Sequence, residues 1–186
     1  MIIMINGLFG IGKTTVATIL QSKIENSMIY DPDEVGFMLR NIITDEVKLP
    51  EEKTDDFQDL ILWKELTVTV AEKLVNTYRK TLIVPMTIYN HEYFSHIKSG
   101  FESIDETFHF CLLASEETVH ERLSKRGDEV GAGAFQQTER CLKAYNAYLS
   151  EFEKVMYTDS LSVNQVCDMI VSDINLPSSD EEGVTK

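Results

Sequence analysis

Residues 1–16 read MIIMINGLFGIGKTTV, and this stretch decides how the rest of the chain is arranged. An apolar run at residues 2–5 leads into Gly7 to Thr14, which fits the pattern G-x-x-x-x-G-K-[ST] at every fixed position. In such loops the glycines turn backbone N–H groups towards a phosphate, and the following helix directs the positive end of its dipole to the same point. The stretch therefore predicts a nucleoside triphosphate site.

The loop also predicts which groups hold the nucleotide. Lys13 is expected to reach the β- and γ-phosphates, and the Thr14 hydroxyl is expected to bind Mg²⁺. ATP and Mg²⁺ are therefore the expected cofactors. A glycine-rich turn without a nucleotide is the alternative, but an apolar strand precedes the loop and an amphipathic helix follows it. The nucleotide-binding residues expected here are Gly7, Phe9, Gly10, Ile11, Gly12, Lys13, Thr14 and Thr15.

The composition limits the partners of the chain. It has 186 residues and a net charge of −14, with only 17 Lys and Arg residues. Neutralising a nucleic-acid backbone needs clustered basic residues, so no nucleic-acid partner is expected. Nothing in the sequence indicates an oligomeric state.

The cysteines and the N-terminus predict where the protein resides. Cys111, Cys141 and Cys167 are widely spaced, which suggests reduced thiols rather than a zinc site or a disulfide framework. The apolar run near Met1 lacks a basic flank and is too short for a signal peptide or a membrane span. A cytoplasmic location without stable membrane association is the expectation.

The remaining sequence alternates short apolar strands with helical patterns. The strands are expected at residues 2–5, 28–30, 81–84, 107–114 and 154–158. This alternation predicts a P-loop NTPase fold with three α/β/α layers around a five-stranded parallel sheet, like the nucleoside and shikimate kinases. One domain is expected over residues 1–176 with a lid at about 126–135, followed by an acidic disordered tail at 177–186.

The sequence also predicts three local features of the secondary structure. Pro85 is expected to end the pairing of the third strand. Gly100 is expected to break a short helix over residues 91–97. The charged segment 44–59 is expected to be a mobile connection or a short broken helix, before a long helix over residues 57–78.

Two carboxylates, Asp31 and Asp33, follow the second strand at the edge where ligands of parallel sheets bind. They are also residues of a normal helix start, with Asp at the N-cap and Pro32 behind it, so a structural role is the alternative. Neither the third nor the fourth apolar strand ends on a Walker-B aspartate, since the third runs into Pro85 and the fourth into Ser115. The segment Asp33 to Gly36 fits the loose D-x-x-G pattern of GTPases, but no N-K-x-D sequence accompanies it. Motor ATPases and GTPase switches are therefore disfavoured.

The Asp31-x-Asp33 pair resembles the D-x-D of small-molecule P-loop kinases such as shikimate and gluconate kinases. The resemblance implies that Asp31 helps to hold Mg²⁺ and that Asp33 accepts the proton of the substrate hydroxyl. Arg122 and Arg126 resemble the lid arginines of the same kinases, which contact the phosphates. The alternative is that both arginines only occupy the C-terminal end of a helix and have no contact with phosphates. Lys13, Asp31, Asp33 and Arg126 are the expected catalytic residues.

The acceptor pocket is less well defined by the sequence. Asp33 and Thr87 are expected at the ligand edge of the sheet. Arg40, Trp63 and Arg140 are further candidates for the pocket, although each could equally lie on the surface or in the core.

A closer resemblance rests on longer segments. Residues 31–40, DPDEVGFMLR, and residues 83–87, IVPMT, together with residues 1–10, 56–58 and 62–63, are similar to the bacterial tunicamycin-resistance ATP-binding proteins. The similarity extends to about Pro177 and implies an ATP-binding protein that acts on, or protects against, a nucleoside-type antibiotic. Members of that family can carry a basic C-terminal extension suited to membranes, whereas this chain continues with acidic residues.

Three functions follow from these resemblances. The first is a phosphotransferase for a small hydroxylated acceptor, with tunicamycin or a related nucleoside as the candidate. The second is a non-catalytic protein that sequesters the antibiotic with ATP bound. The third is a toxin-type kinase of a nucleotide sugar.

Overall fold

The computed structural model describes residues 1–127, 133–148 and 154–175. Its strands are β1 (Ile2–Gly7), β2 (Ser27–Ile29), β3 (Thr81–Met86), β4 (Thr107–Leu113) and β5 (Lys154–Tyr157). Its helices are α1 (Lys13–Lys23), α2 (Pro32–Ile42), α3 (Ile61–Tyr78), α4 (His91–Ile104), α5 (Glu116–Arg126), α6 (Gly133–Tyr148) and α7 (Val163–Ile174). Two short 3₁₀ helices, Pro50–Glu52 and Phe57–Asp59, lie between α2 and α3.

The five strands form one parallel sheet in the order β2-β3-β1-β4-β5. The central strand is β1, whose Ile3 lies opposite Ile83 on one side and Phe108 on the other. Every residue of β1 is buried, as a strand covered on both faces requires. The predicted five-stranded parallel sheet is confirmed, and the phosphate loop leaves its central strand.

Helices cover both faces of the sheet. Crossovers between parallel strands are right-handed, and the chain moves in one direction from β1 to β2 and in the other from β2 to β3. The helices of these two connections, α1 and α3, therefore lie on opposite faces. In the structure α1 packs with α7, and α3 packs with α4.

Pro85 does not end the third strand, which continues to Met86 with Pro85 opposite Ile5. The backbone of Ile83 faces β2 and accepts a hydrogen bond from the Tyr30 N–H, so the ring nitrogen of Pro85 faces the same side two residues later. Because β2 ends at Ile29, Pro85 has no β2 partner that would need its missing N–H.

The expectation of a short helix broken at Gly100 is wrong, since α4 runs without interruption to Ile104. A Cβ atom at Gly100 would lie 2.5 Å from a methyl carbon of Val68 on α3. Gly100 therefore permits the close approach of α3 and α4 rather than ending a helix.

Segment 44–59 contains the two 3₁₀ helices, and the predicted helix from residue 57 begins only at Ile61. Glu52 fixes this start, because its buried carboxylate accepts hydrogen bonds from the backbone N–H groups of Leu49 and Ile61, both at 2.9 Å. The expectation of a broken helix comes closer to the structure than that of a mobile connection.

Within the described ranges, no helix is both long enough and apolar enough to cross a membrane. Residues 128–132 of the predicted lid and the predicted tail at 177–186 lie outside those ranges.

Candidate functional site

The phosphate loop has the backbone that its glycines predict. Gly10 and Gly12 adopt φ values of 75° and 101°, in the left-handed region that other residues rarely enter. Gly12 also forms the N-cap of α1, and no side chain accepts a hydrogen bond there. The first N–H groups of α1 therefore lack a capping side chain, which suits a phosphate at this helix end.

Lys13 lies against the loop that precedes it. Its ammonium group donates to the carbonyl oxygens of Gly7 at 3.1 Å and Leu8 at 2.8 Å. Burial lowers the pKa of Lys13 to about 8, although the negative charge of Asp33 opposes that shift. A desolvated cation beside backbone N–H groups is well suited to bind phosphate oxygens.

Asp31 and Asp33 form the helix start that the sequence predicts, and their catalytic role stays a prediction. Asp31 is the N-cap of α2, and its Oδ1 accepts a 3.0 Å hydrogen bond from the backbone N–H of Asp33. Burial raises the pKa of Asp33 to about 6, the charge of Asp31 adds to the rise, and Lys13 opposes it. The turn thus presents one capping carboxylate and one carboxylate whose pKa lies near neutrality.

A cavity of about 480 Å³ brings these groups together, and we name it the P-loop cavity. It joins the predicted catalytic residues Lys13, Asp31, Asp33 and Arg126, the metal candidate Thr14 and the acceptor candidate Thr87. Its full lining is Phe9, Gly10, Gly12, Lys13, Thr14, Thr15, Asp31, Asp33, Pro85, Met86, Thr87 and Arg126.

The residues of this cavity fit a nucleotide with its metal ion. Among the described residues no group of three or more His, Cys, Asp and Glu side chains could hold a metal. Mg²⁺ is commonly bound by one or two protein oxygens and the phosphates of a nucleotide. Thr14 and Asp31, which both line the cavity, would supply such oxygens.

Arg122 has a different position from Arg126. Its guanidinium donates to the carbonyl oxygen of Ile11 at 3.3 Å, and to the hydroxyl and carbonyl oxygens of Thr158 at 3.0 and 2.7 Å. Arg122 therefore connects the phosphate loop to the end of β5 by hydrogen bonds. Arg126, one helical turn later, lines the P-loop cavity and is the better placed of the two lid candidates.

Three acceptor candidates lie away from the P-loop cavity. Trp63 is fully buried, and its indole N–H donates a 3.1 Å hydrogen bond to the carbonyl oxygen of Pro32, so it holds the turn between Asp31 and Asp33 in place. Arg40 donates to the carbonyl oxygen of Asp55 and lies over the Phe57 ring. Arg140 lines a separate cavity.

Sequence reasoning missed Asn6, which connects three parts of the site. Its side-chain oxygen accepts hydrogen bonds from the N–H of Gly7 at 2.9 Å, the N–H of Ile88 at 3.0 Å and the hydroxyl of Tyr145 at 2.7 Å. The start of the phosphate loop, the segment after β3 and helix α6 therefore meet at one buried amide. The available signal was a lone amide between an apolar strand and Gly7.

Gln58 is a second residue that the sequence did not indicate. Its side-chain amide donates a 2.7 Å hydrogen bond to the carbonyl oxygen of Thr87. The Thr87 hydroxyl in turn donates a 3.0 Å hydrogen bond to the carbonyl oxygen of Gly7, which also accepts from Lys13. The 3₁₀ helix at Phe57–Asp59 is thereby connected to the phosphate loop.

A comparison with protein families identifies the class of the chain. The family described as "AAA domain" matches residues 3–140, which include the loop, the Asp31-x-Asp33 turn and both arginines predicted for a lid. The chain belongs to the AAA domain family. As an AAA domain protein with this sheet and loop, it has the P-loop kinase fold.

Two curated relatives of this AAA domain protein are 2-phosphoglycerate kinases. The one from Pyrococcus horikoshii is 24% identical over 162 residues and the one from Pyrococcus furiosus 25% identical over 162 residues. The match covers 84% of this chain but 52% of each relative, so the chain spans about half the length of the curated relatives it matches.

Solved structures agree with the family. The tunicamycin resistance protein of Deinococcus radiodurans is 26% identical, with a TM-score of 0.75 over 95% of this chain and 96% of that one. A gluconokinase from Sinorhizobium meliloti superposes with a TM-score of 0.62 at 15% identity, over 92% and 89% of the two chains. A shikimate kinase from Bacteroides thetaiotaomicron superposes with a TM-score of 0.63 at 14% identity, over 94% and 98%. The last two similarities concern the fold alone.

Proposed function

We propose that the protein is an ATP- and Mg²⁺-dependent phosphotransferase for a small hydroxylated acceptor. The observation that carries the proposal is the meeting of Lys13, Asp33 and Arg126 in the P-loop cavity. Phosphoryl transfer requires alignment of the two substrates, a positioned base and neutralisation of charge, and these three residues supply the last two.

Each residue has a distinct part in the proposed reaction. The acceptor oxygen attacks the γ-phosphorus, the bond between that phosphorus and the bridging oxygen to the β-phosphate breaks, and ADP leaves. Asp33 takes the proton from the acceptor hydroxyl, for which a pKa of about 6 is suitable near neutral pH. Lys13 and Arg126 stabilise the charge on the phosphate oxygens. Thr14 and Asp31 would hold Mg²⁺, which would supply further neutralisation of the phosphate charge.

The acceptor that we propose is tunicamycin or a related nucleoside antibiotic. The similarity to the Deinococcus radiodurans tunicamycin resistance protein, over nearly the whole of both chains, supports this choice. The Pyrococcus relatives named as 2-phosphoglycerate kinases support the same reaction class on another acceptor.

The test is a search for the phosphorylated product. Purified protein is incubated with ATP, Mg²⁺ and tunicamycin, and the antibiotic is examined by mass spectrometry. We expect the mass to increase by one phosphoryl group for each ADP formed, and Lys13→Ala should abolish both products. Protection of cells by the wild type and by Asp33→Asn alike, with no change in the mass of tunicamycin, would favour sequestration instead.

A further inference from the structure

The carbonyl oxygen of Gly7 accepts hydrogen bonds from two side chains of the P-loop cavity. The ammonium group of Lys13 donates to it at 3.1 Å, and the hydroxyl of Thr87 donates to it at 3.0 Å. Lys13 donates a second hydrogen bond, at 2.8 Å, to the carbonyl oxygen of Leu8. An ammonium group has three N–H donors, so the third can meet a phosphate oxygen. The direction of this third donor depends on where the two carbonyl oxygens lie.

Gly7 has no side chain that could fix its own peptide groups. Its φ of 156° is accessible mainly to glycine, and a glycine backbone is conformationally free unless other groups restrain it. The N–H of Gly7 donates to the side chain of Asn6 at 2.9 Å. Its carbonyl group is restrained by Thr87 and Lys13, and of these two only Thr87 has a short, β-branched and therefore stiff side chain.

Thr87 is itself fixed by its neighbours. The side-chain amide of Gln58 donates a 2.7 Å hydrogen bond to the carbonyl oxygen of Thr87. The next residue, Ile88, donates from its N–H to the side-chain oxygen of Asn6 at 3.0 Å and accepts from the Asn6 amide at 3.3 Å. The backbone that carries the Thr87 hydroxyl is thus bonded on both sides.

The side chain of Gln58 is poorly suited to a purely stabilising role. It is 7% exposed, its oxygen is buried, and no described group donates a hydrogen bond to that oxygen. An unmet buried acceptor lowers stability, so such a group calls for another explanation. The short hydrogen bond from the same amide to Thr87 supplies one.

We propose that Thr87 is a positioning residue for Lys13 rather than a contact to the acceptor, and that Gln58 supports it. The inference rests on the proposed nucleotide-dependent function. The Thr87 hydroxyl fixes the carbonyl group of Gly7, this group and the Leu8 carbonyl orient the ammonium group, and the ammonium group reaches the phosphates. Because Thr87 is 6% exposed and its hydroxyl hydrogen is used by Gly7, little of it is available to an acceptor.

The first experiment measures the affinity for Mg²⁺ and the non-hydrolysable ATP analogue AMP-PNP by calorimetry. Thr87→Val keeps the shape of the side chain but removes the donor, and it should weaken binding about 10-fold. Its melting temperature should stay within about 4 °C of wild type, because the Gly7 carbonyl keeps Lys13 as a donor. Thr87→Ser keeps the hydroxyl and should bind within about threefold of wild type.

Thr67→Val is the matched control for the loss of a buried threonine hydroxyl. Thr67 is fully buried on α3, and no described group pairs with its hydroxyl, so the affinity for AMP-PNP should not change. Wild-type affinity in Thr87→Val, or binding by Thr87→Ser as weak as that by Thr87→Val, would overturn the inference.

The second experiment tests whether Gln58 acts through Thr87. Gln58→Met removes the hydrogen bond to Thr87 together with the unmet oxygen, so the melting temperature should move by less than about 4 °C. Binding of AMP-PNP should weaken about threefold, and adding this change to Thr87→Val should weaken it by less than about twofold more. Effects that multiply fully in the double variant would contradict a support that acts through Thr87.

A transfer assay with tunicamycin distinguishes this inference from the proposed function. If the affinities follow the expected order but ATP yields no phosphorylated product, the phosphotransferase function fails and the positioning role stands. If product forms and Thr87→Val raises the KM for the acceptor while the KM for ATP is unchanged, the function stands and the inference fails. An absence of AMP-PNP binding by the wild type would overturn both.

Discussion

The hydroxyl of Tyr145 donates a 2.7 Å hydrogen bond to the side-chain oxygen of Asn6 inside the protein. This contact connects α6, which begins within the predicted lid, to the strand end from which the phosphate loop begins. Both residues are buried, so neither partner can exchange the bond for one to water.

Replacing Tyr145 should therefore weaken the fold without removing a large side chain. Tyr145→Phe should lower the free energy of unfolding by about 1 kcal/mol, measured by urea denaturation, because it deletes one buried hydrogen bond. Tyr78→Phe, at a position 60% exposed, is the matched control and should change it by less than about 0.5 kcal/mol. Equal effects of the two variants would contradict a structural role for the Tyr145 hydroxyl.

Trp63 should behave as a support of the turn from Asp31 to Asp33 rather than as a contact to the acceptor. Trp63→Phe removes buried volume and the hydrogen bond to Pro32, so we expect a loss of about 2–3 kcal/mol in unfolding free energy. The KM for the acceptor should change less than about threefold. A large rise in this KM at unchanged stability would instead place Trp63 in the acceptor pocket.

Gly100 offers a test of the packing between α3 and α4. Gly100→Ala introduces a Cβ atom 2.5 Å from Val68, and we expect it to destabilise the protein by about 1–2 kcal/mol despite the better helix propensity of alanine. Adding Val68→Ala should make the Gly100→Ala change neutral or favourable, which thermal unfolding of the four proteins in the double-mutant cycle would measure. Additive losses would contradict the predicted contact.

The pH dependence of catalysis should reflect Asp33 and Lys13. Asp33 acts as a base only when ionised, so with its pKa at about 6 the rate should fall as the pH drops below 6. The charge of Lys13 is lost as the pH rises through about 8, so kcat/KM for ATP should fall above that pH. A flat profile between pH 5 and 9 would contradict both assignments.

The carboxyl group of Asp33 should also influence the free energy of unfolding. Because the folded-state pKa of Asp33 is raised above the usual 3.8, ionisation of this carboxyl opposes folding. Asp33→Asn should therefore stabilise the protein by about 1 kcal/mol at pH 7.5, and the gain should vanish as the pH falls below about 4. Asp31→Asn, which keeps the N-cap oxygen, is the matched comparison.

Features that depend on neighbouring residues could be predicted from the sequence, whereas features that depend on residues far apart along the chain could not. The loop, the five strands and the capped helices α5 and α7 arise from local patterns, and the structure contains all of them. Pro85 and Gly100 were misjudged because their meaning depends on where β2 ends and on how closely Val68 approaches. Neither fact is encoded near the residue itself.

In the candidate site, too, residues of local motifs could be predicted and residues with distant partners could not. Lys13, Thr14, Asp31 and Asp33 belong to short motifs, so their meeting at the carboxyl edge of the sheet could be predicted. Asn6, Gln58 and Tyr145 each have a hydrogen-bond partner at least 29 residues away along the chain. Gly36, which fits the D-x-x-G pattern of GTPases, has a packing reason instead, since a Cβ there would lie 2.3 Å from the Phe57 ring.

The most direct test of phosphoryl transfer at this site is the single-turnover rate of Asp33→Asn with ATP, Mg²⁺ and tunicamycin. We predict a phosphorylated acceptor from the wild type and a rate at least about 100-fold lower in the variant, with ATP affinity within about threefold of wild type. Formation of the product at the wild-type rate by Asp33→Asn, or ADP formation without a modified acceptor in the wild type, would contradict the account.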